Sequence, residues 1–330
     1  MRNDLDGIAK RVSEFTLDSL SGGPSELFQA SSFYINTGGK RLRPFMVIKS
    51  CEMFEGIEVN AIPAAAAVEL VHNFSLIHDD IMDNDDFRHG VSTVHKRYGI
   101  PLALLAGDVL FSKAFQLLSS PNNAYRVGNN AVREMVERLA TACVSVCEGQ
   151  ASDTGLANSE SFPTINEYLD MVKKKTASLF EVSCALGVLS CTGTSKNDVE
   201  NLSKFGNGIG IAFQLIDDLI GIIGDPKLTG KAVGNDIREG KKTFPIILAI
   251  RAASNNQKDQ ILKVYGSKKS SEDEIRAAVD TISTLGIENE VRSIARTHMT
   301  KSLENIESYP ETEPKRALGS SARFIVERSL

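Results

Sequence analysis

Apolar residues recur three and four positions apart along the chain, as in Ala67, Val71, Phe74 and Ile77, or Leu169, Val172, Leu179 and Val182. That period lines one face of a helix, and no long stretch alternates as a strand does. An all-α chain is predicted. Breakers at 21–24, 38–39, 99–101, 121–123, 193 and 224–240 leave roughly ten helices between them. With no internal repeat and no low-complexity linker, the 330 residues are expected to form one domain, 1–330, built as a single large helical bundle.

Acidic residues number 42 against 37 basic ones, a formal net charge of -5, which disfavours a nucleic-acid binder. An anionic ligand must therefore meet local cations. The N-terminal MRNDLDGIAKRVSEF reads as an amphipathic helix rather than a signal peptide or anchor. No stretch of about 18 residues is apolar without a charge, so no membrane span is expected. Cys51, Cys143, Cys147, Cys184 and Cys191 form no CxxC pair and lie in apolar stretches, as reduced, buried thiols of a cytoplasmic protein do. His78, His95 and His298 lack the spacing of a zinc site.

Two acidic clusters carry the chemistry. In FSLIHDDIMDNDD, 74–86, Asp79 and Asp83 fall on nearly one line of a helix, with Asp80 about a quarter turn away. No Lys or Arg lies between Asp79 and Asp86, so these like charges call for a cation. A hard ion such as Mg²⁺ takes one or two carboxylates together with water and phosphate oxygens. The second cluster, FQLIDD at 213–218, plants Asp217 and Asp218 in an apolar run, where unpaired charge is costly, with Gln214 one turn ahead. Two such helices could face each other across a bundle and hold metal ions. For either cluster, an exposed acidic helix is the alternative.

Cations cluster as well. GGKRLRP at 38–44 joins a glycine pair to three positive side chains ahead of a helix, a loop suited to cradling a phosphate. Arg88 follows the first acidic cluster, and Lys175 and Thr176 end the run 173–176. Lys231 and Lys241 belong to a Gly-rich stretch, 224–242, composed like a loop that closes over an anion. Each alone reads as surface charge. Together they supply what two diphosphates require.

In this set of motifs the chain resembles the trans-isoprenyl diphosphate synthases of the polyprenyl synthetase family, from about 38 to 243. The motifs are GGKRLRP, HDDIMD (78–83), GDVLF (107–111), KKTASLF (174–180), FQLIDD and GNDIREGKKT (234–243), in the family's order. The resemblance implies an isoprenoid-synthase bundle with a central active-site cavity. It also implies a Mg²⁺-assisted reaction in which an allylic diphosphate departs, isopentenyl diphosphate attacks the carbocation, and a proton is lost. The allylic substrates would be dimethylallyl, geranyl and farnesyl diphosphates.

By the same resemblance Asp79, Asp83 and Asp217 would ligate Mg²⁺, with Asp80 and Asp218 in support. Arg88, Lys175, Lys231 and Lys241 would hold the allylic diphosphate. Lys40, Arg43 and His72 would bind isopentenyl diphosphate, and Thr176 and Gln214 would steady the carbocation. A homodimer is implied too. Two positions depart from the family pattern: Gly221 replaces a third Asp after the second pair, with Asp225 further along, and His89 replaces the second Arg of Arg-Arg-Gly. His89 would then bind isopentenyl diphosphate more weakly or with pH dependence.

The resemblance also implies that the product chain would grow along the helix ahead of Asp79, where Phe74, Ser75 and Val71 would form the floor of the cavity. One aromatic beside a small residue resembles the geranylgeranyl type; two aromatics would indicate the farnesyl type. A floor supplied by another helix is the alternative for Phe74. A farnesyl or longer-chain synthase, a non-catalytic subunit of a heteromeric synthase, and a terpene cyclase are the competing functions. The retained Lys40, Arg43, Arg88 and Lys175 argue against the subunit, and the Gln-Asp-Asp form of the second site argues against the cyclase.

Overall fold

Helices α1 (Arg2–Ser19), α2 (Ser25–Asn36), α3 (Leu42–Glu52) and α4 (Glu58–Met82) open the chain. The computed structural model describes residues 2–88, 90–224, 233–267 and 269–327. After α4, a two-residue antiparallel hairpin, β1 (Phe87–Arg88) and β2 (Val91–Ser92), sets Phe87 opposite Ser92 and Arg88 opposite Val91. Helices α5 (Val94–Tyr98), α6 (Ile100–Leu118), α7 (Pro121–Val127), α8 (Asn129–Asn158) and α9 (Ile165–Val172) follow. A widened π-type turn, Lys173–Ala177, joins α9 to α10 (Ser178–Leu189). Then come α11 (Lys196–Ile223), α12 (Asn235–Glu239), α13 (Phe244–Ala252), α14 (Asn255–Val264), α15 (Glu272–Thr284), α16 (Ile287–Glu307) and α17 (Glu313–Glu327).

The described residues thus hold seventeen α-helices where the breakers predict roughly ten. The excess comes from the short helices α5, α7 and α12 and from the subdivision of the C-terminal stretch. Side-chain caps set several starts: Thr164 with Glu167 opens α9, Ser254 with Gln257 opens α14, and Ser271 with Glu274 opens α15.

The chain divides into two compact units, each interleaved along the sequence. The first is Met1–Cys143, Leu179–Gly206 and Asn305–Ser321; the second is Val144–Ser178, Asn207–Glu304 and Ala322–Leu330. The boundaries cut α8 after Cys143 and α11 after Gly206. A division inside a helix leaves no linker composition, and so the sequence reads as one domain.

In the first unit, α4 packs against α3 and α6, and its Ala61 and Ala64 to Ala67 are buried. Phe45, Phe180 and Phe205 are fully buried, each contributing roughly 1.5–3 kcal/mol. Helices α3 and α10 lie side by side and in the same direction. Arg43 stacks over the Phe180 ring at 4.6 Å, a Cβ on Gly187 would stand 2.2 Å from the Val47 carbonyl, and Cys191 Sγ reaches the Cys51 carbonyl at 3.1 Å. In the second unit, Tyr168 packs on the buried Phe244 at 5.5 Å between ring centroids, and α14 packs on α15.

Two stretches, Ile100–Asn123 and Lys196–Ile223, are long and apolar enough to cross a membrane by length and composition. Each has a buried face, with Ala103, Ala106 and Leu110 in the first and Phe205, Ile209, Leu215 and Ile216 in the second. Each also carries charge, Asp108 and Lys113 or Asp217 and Asp218, as core helices do.

Candidate active site

The first acidic pair sits in the last turn of α4, where the helix period turns its two members different ways. Asp80 is fully buried, whereas Asp79 is half-buried and Asp83, the C-terminal cap of α4, is exposed. Tyr34 of α2 donates its hydroxyl to Asp80 Oδ2, and Arg88 donates Nε to Asp80 Oδ1 at 2.7 Å. The hairpin β1–β2 brings Arg88 back onto the helix end. Burial raises the Asp80 carboxyl above the usual range, with Arg88 the largest opposing influence. Desolvation is the largest single influence on the Arg88 cation and works against it, but the charge and hydrogen bond of Asp80, with Tyr34 and Asp79, together hold the guanidinium above its ordinary value.

This changes the sequence reading in two ways. Asp80 does not share an open volume with its neighbours, and its charge is answered from outside the stretch 79–86. Asp79 and Asp83 are left one helical turn apart, with the Asp83 amide donating to the Asp79 carbonyl at 2.8 Å. Among the described residues, no group of three or more His, Cys, Asp or Glu side chains is gathered closely enough to hold a metal by itself. A divalent ion that takes one or two carboxylates and fills its other positions from phosphate and water fits such donors.

In the GGKRLRP loop the three cations separate by task. Arg41 adopts a left-handed backbone, φ 46°, and its buried side chain pairs with Glu69 at 2.7 Å and donates to the Ile35 carbonyl at 2.7 Å. These two contacts hold Arg41 between Glu69 and the end of α2. Lys40 is exposed, and Arg43 Nη1 lies 3.3 Å from His72 Nε2. Arg43 and His72, named from sequence as one binding set, are thus brought together.

Val71 is fully buried, and Ser75 donates its hydroxyl to the His72 carbonyl at 2.8 Å. Phe74 is half-buried and starts an aromatic row, 5.2 Å from Phe111, which lies 5.0 Å from Phe115. His78 explains the glycine of GDVLF. A Cβ on Gly107 would lie 2.2 Å from His78 Nε2, and that ring nitrogen is 3.2 Å from the Leu104 carbonyl.

The second unit repeats the construction around Asp217 and Asp218. Asp217 is exposed and Asp218 buried. Tyr168 donates its hydroxyl to Asp218 Oδ2, Gln214 Nε2 donates to Oδ1 at 2.8 Å, and the Phe244 amide donates to Oδ2 at 3.1 Å. Burial pushes the Asp218 carboxyl up to about 7 against these donors, and Asp236 adds to the rise. Thr176 donates its hydroxyl to Gln214 Oε1 at 2.9 Å, so Thr176, Gln214 and Asp218 form one chain of hydrogen bonds.

Thr176 and Lys175 ride on the π-type turn Lys173–Ala177, and Lys175 Nζ meets Asp153 Oδ2 at 2.5 Å. Gly149 of α8 admits that turn, since a Cβ there would stand 2.3 Å from the Lys175 amide nitrogen. Lys241 meets Glu239 at 2.6 Å, whereas Lys242 donates to the carbonyls of Leu156, Ser159 and Ser161 and so closes the end of α8. Lys242 therefore belongs to the fold rather than to an anion loop. His89, Asp225 and Lys231 lie outside the described residues.

Gly221 has a structural counterpart. A Cβ at 221 would lie 2.2 Å from Asp236 Oδ2, so the buried Asp236 carboxylate fills the space a side chain there would need. Sequence reasoning missed Asp236, Tyr34, Tyr168, Asp153 and Gly149. Only Asp236 carried a signal, as the acid of GNDIREGKKT.

The chain matches the polyprenyl synthetase family model over residues 24–282. It is 36% identical to a geranylgeranyl diphosphate synthase of Sulfolobus acidocaldarius, covering 99% of this chain and 98% of that one. A crystal structure of geranylgeranyl pyrophosphate synthetase from Pyrococcus horikoshii superposes with a TM-score of 0.89 at 35% identity, covering 99% of each chain. A polyprenyl synthase from Caulobacter crescentus, complexed with calcium and isoprenyl diphosphate, gives a TM-score of 0.88 at 27% identity, covering 100% of this chain and 98% of that one. The chain belongs to the polyprenyl synthetase family and is a prenyl transferase.

Proposed function

We propose that the protein condenses isopentenyl diphosphate with dimethylallyl, geranyl and farnesyl diphosphates in a Mg²⁺-dependent reaction that ends at geranylgeranyl diphosphate. The observation that carries this reading is common to both acidic pairs: one aspartate is anchored by a tyrosine while its neighbour, Asp79 or Asp217, keeps access to solvent. Asp79, Asp83 and Asp217 are the proposed Mg²⁺ ligands, with Asp80 and Asp218 as their buried supports. When bound, the metal supplies stabilisation of the charge that develops on the departing diphosphate.

The remaining steps belong to the chain's own side chains. Lys175 and Lys241 sit in half-exposed ion pairs that are inexpensive to exchange for a phosphate, and with Arg88 and Lys231 they hold the allylic diphosphate. Lys40, Arg43 and His72, with His89, hold isopentenyl diphosphate. The Thr176 proton is committed to Gln214, and the hydroxyl oxygen with its lone pairs is the group that would steady a neighbouring carbocation. Phe74, with Ser75 and Val71, limits product length, a reading supported by the row Phe74, Phe111 and Phe115. The chain acts as one catalytic domain, in the cytoplasm, and as a homodimer; the exposed Ile100, Leu104 and Leu105 of α6 support the dimer.

Incubating the purified chain with Mg²⁺, each allylic diphosphate and isopentenyl diphosphate, and sizing the products, tests this. Diphosphate release with a twenty-carbon product is expected, and Phe74→Ala should lengthen it. No release by the chain alone would favour the non-catalytic subunit, and turnover without isopentenyl diphosphate would favour a cyclase. Full condensation by Asp79→Ala would remove the metal assignment. Light scattering of the purified chain reads the oligomeric state, and a monomer at working concentration would remove the dimer.

A further inference from the structure

Two thiols with no part in prenyl transfer meet where α3 ends and the chain turns after α10. Cys51 is fully buried and Cys191 is 8% exposed. Their sulfurs lie 3.3 Å apart across 140 residues of sequence, both inside the first unit. Cys191 Sγ also lies 3.1 Å from the Cys51 carbonyl and 3.6 Å from the Gly187 carbonyl. Gly56 makes room for the pair, since a Cβ there would stand 2.3 Å from one sulfur and 2.4 Å from the other.

A cavity of about 240 Å³ lies alongside, lined by Phe54, Gly56, Asn60, Ser190, Cys191 and Thr192 among others. Cys191 lines it and Cys51 does not, so a small molecule in the cavity reaches one sulfur and finds the second behind it. We propose that Cys191 is an oxidant-sensitive thiol and that Cys51 is its resolving partner.

The oxidant is a hydroperoxide. The Cys191 thiolate attacks its distal oxygen, an S–O bond forms as the O–O bond breaks, and the leaving oxygen takes a proton; Cys191 becomes a sulfenic acid. Cys51 then attacks the Cys191 sulfur, the S–O bond breaks, and hydroxide leaves as water with the Cys51 proton. In sum, two thiols and hydrogen peroxide give a disulfide and two waters. The sulfurs must close by on the order of 1 Å to reach bonding distance.

The environment divides the roles. Contact with Cys51 holds the Cys191 thiol below its ordinary value against the opposing effect of burial, and the Gly56 amide adds to this. The same contact, together with burial, pushes Cys51 up. The fully buried Cys184 is also pushed up by burial, to about 12, and lacks such a partner thiol. The bond would staple the end of α3 to the chain beyond α10, the two helices that also hold Arg43 against Phe180.

The test uses the full chain carrying Cys147→Ser, because Cys147 is exposed and would crosslink copies. After hydrogen peroxide, intact mass should fall by about 2 Da and a Cys51–Cys191 peptide should appear, both reversed by dithiothreitol. Adding Cys51→Ser should leave Cys191 as a sulfenic acid that dimedone traps, and Cys191→Ser should leave Cys51 reduced. Peroxide that leaves Cys51 and Cys191 both reduced in the folded protein would overturn the proposal. So would Cys51 oxidation that persists at the same rate in Cys191→Ser. Circular dichroism confirms that each variant is folded.

Discussion

Asp80 in α4 and Asp218 in α11 hold the same place in their pairs, both buried and both accepting a tyrosine hydroxyl. They differ in what answers their charge. Asp80 meets a guanidinium at 2.7 Å. Among the described residues, Asp218 receives only neutral donors, and Asp236 adds a further negative charge nearby. Burial raises both carboxyls, and Asp218 is driven to about 7. Two identical Asp-Asp pairs therefore give an ion-paired strut in one place and a carboxyl that titrates near neutrality in the other. What the letters share is the division between an anchored acid and an outward one.

Changing the outward acids should have the largest effect. Asp79→Asn and Asp217→Asn are each expected to lower kcat/KM by about 10³ while leaving the urea midpoint in place, because neither side chain is buried. A fully active Asp217→Asn would break the parallel between the pairs. Next come the anchors. Arg88→Leu strands a fully buried carboxylate and should cost about 3 kcal/mol in urea denaturation, whereas Gln214→Leu removes one neutral donor and should cost about 1–2 kcal/mol. Equal losses would erase the distinction.

The pH dependence sharpens the contrast. In metal-free protein the unfolded chain releases the Asp218 proton near 3.8 and the folded chain near 7, so the folded state binds more protons in between. Stability should therefore fall as pH rises through that window, by up to about 1.4 kcal/mol per pH unit, and level off above it. Asp218→Asn should flatten this slope, and an unchanged slope would reassign it. The smallest effect belongs to Lys174–Glu148, an ion pair of 2.8 Å exposed on both sides. Lys174→Ala should shift stability by about 0.5 kcal/mol or less, which would show that the Arg88 effect comes from burial rather than distance.

The helices and both aspartate pairs were legible because their information is local, in a three-to-four period and in acids set within apolar runs. The anchors were not. Tyr34 lies 46 residues from Asp80 and Tyr168 lies 50 from Asp218, and neither sits in a motif. Position within a helix turn also decided which Asp is buried, and the letters Asp-Asp cannot show this. The apolar settings of the cysteines predict buried core; Cys147 is exposed, and the meeting of Cys51 with Cys191 spans 140 residues. Gly221 read as a loss because the carboxylate that fills its space, Asp236, belongs to another motif.

The turn Lys173–Ala177 has one more consequence. A π-type turn accommodates an extra residue in an otherwise regular helix, so it shifts the helical phase by about 100°. Lys175 and Thr176 ride on that seam. Their aim is thus a property of chain length rather than of side-chain chemistry, and deleting one residue there would relax the backbone while swinging both groups away from Asp153 and Gln214.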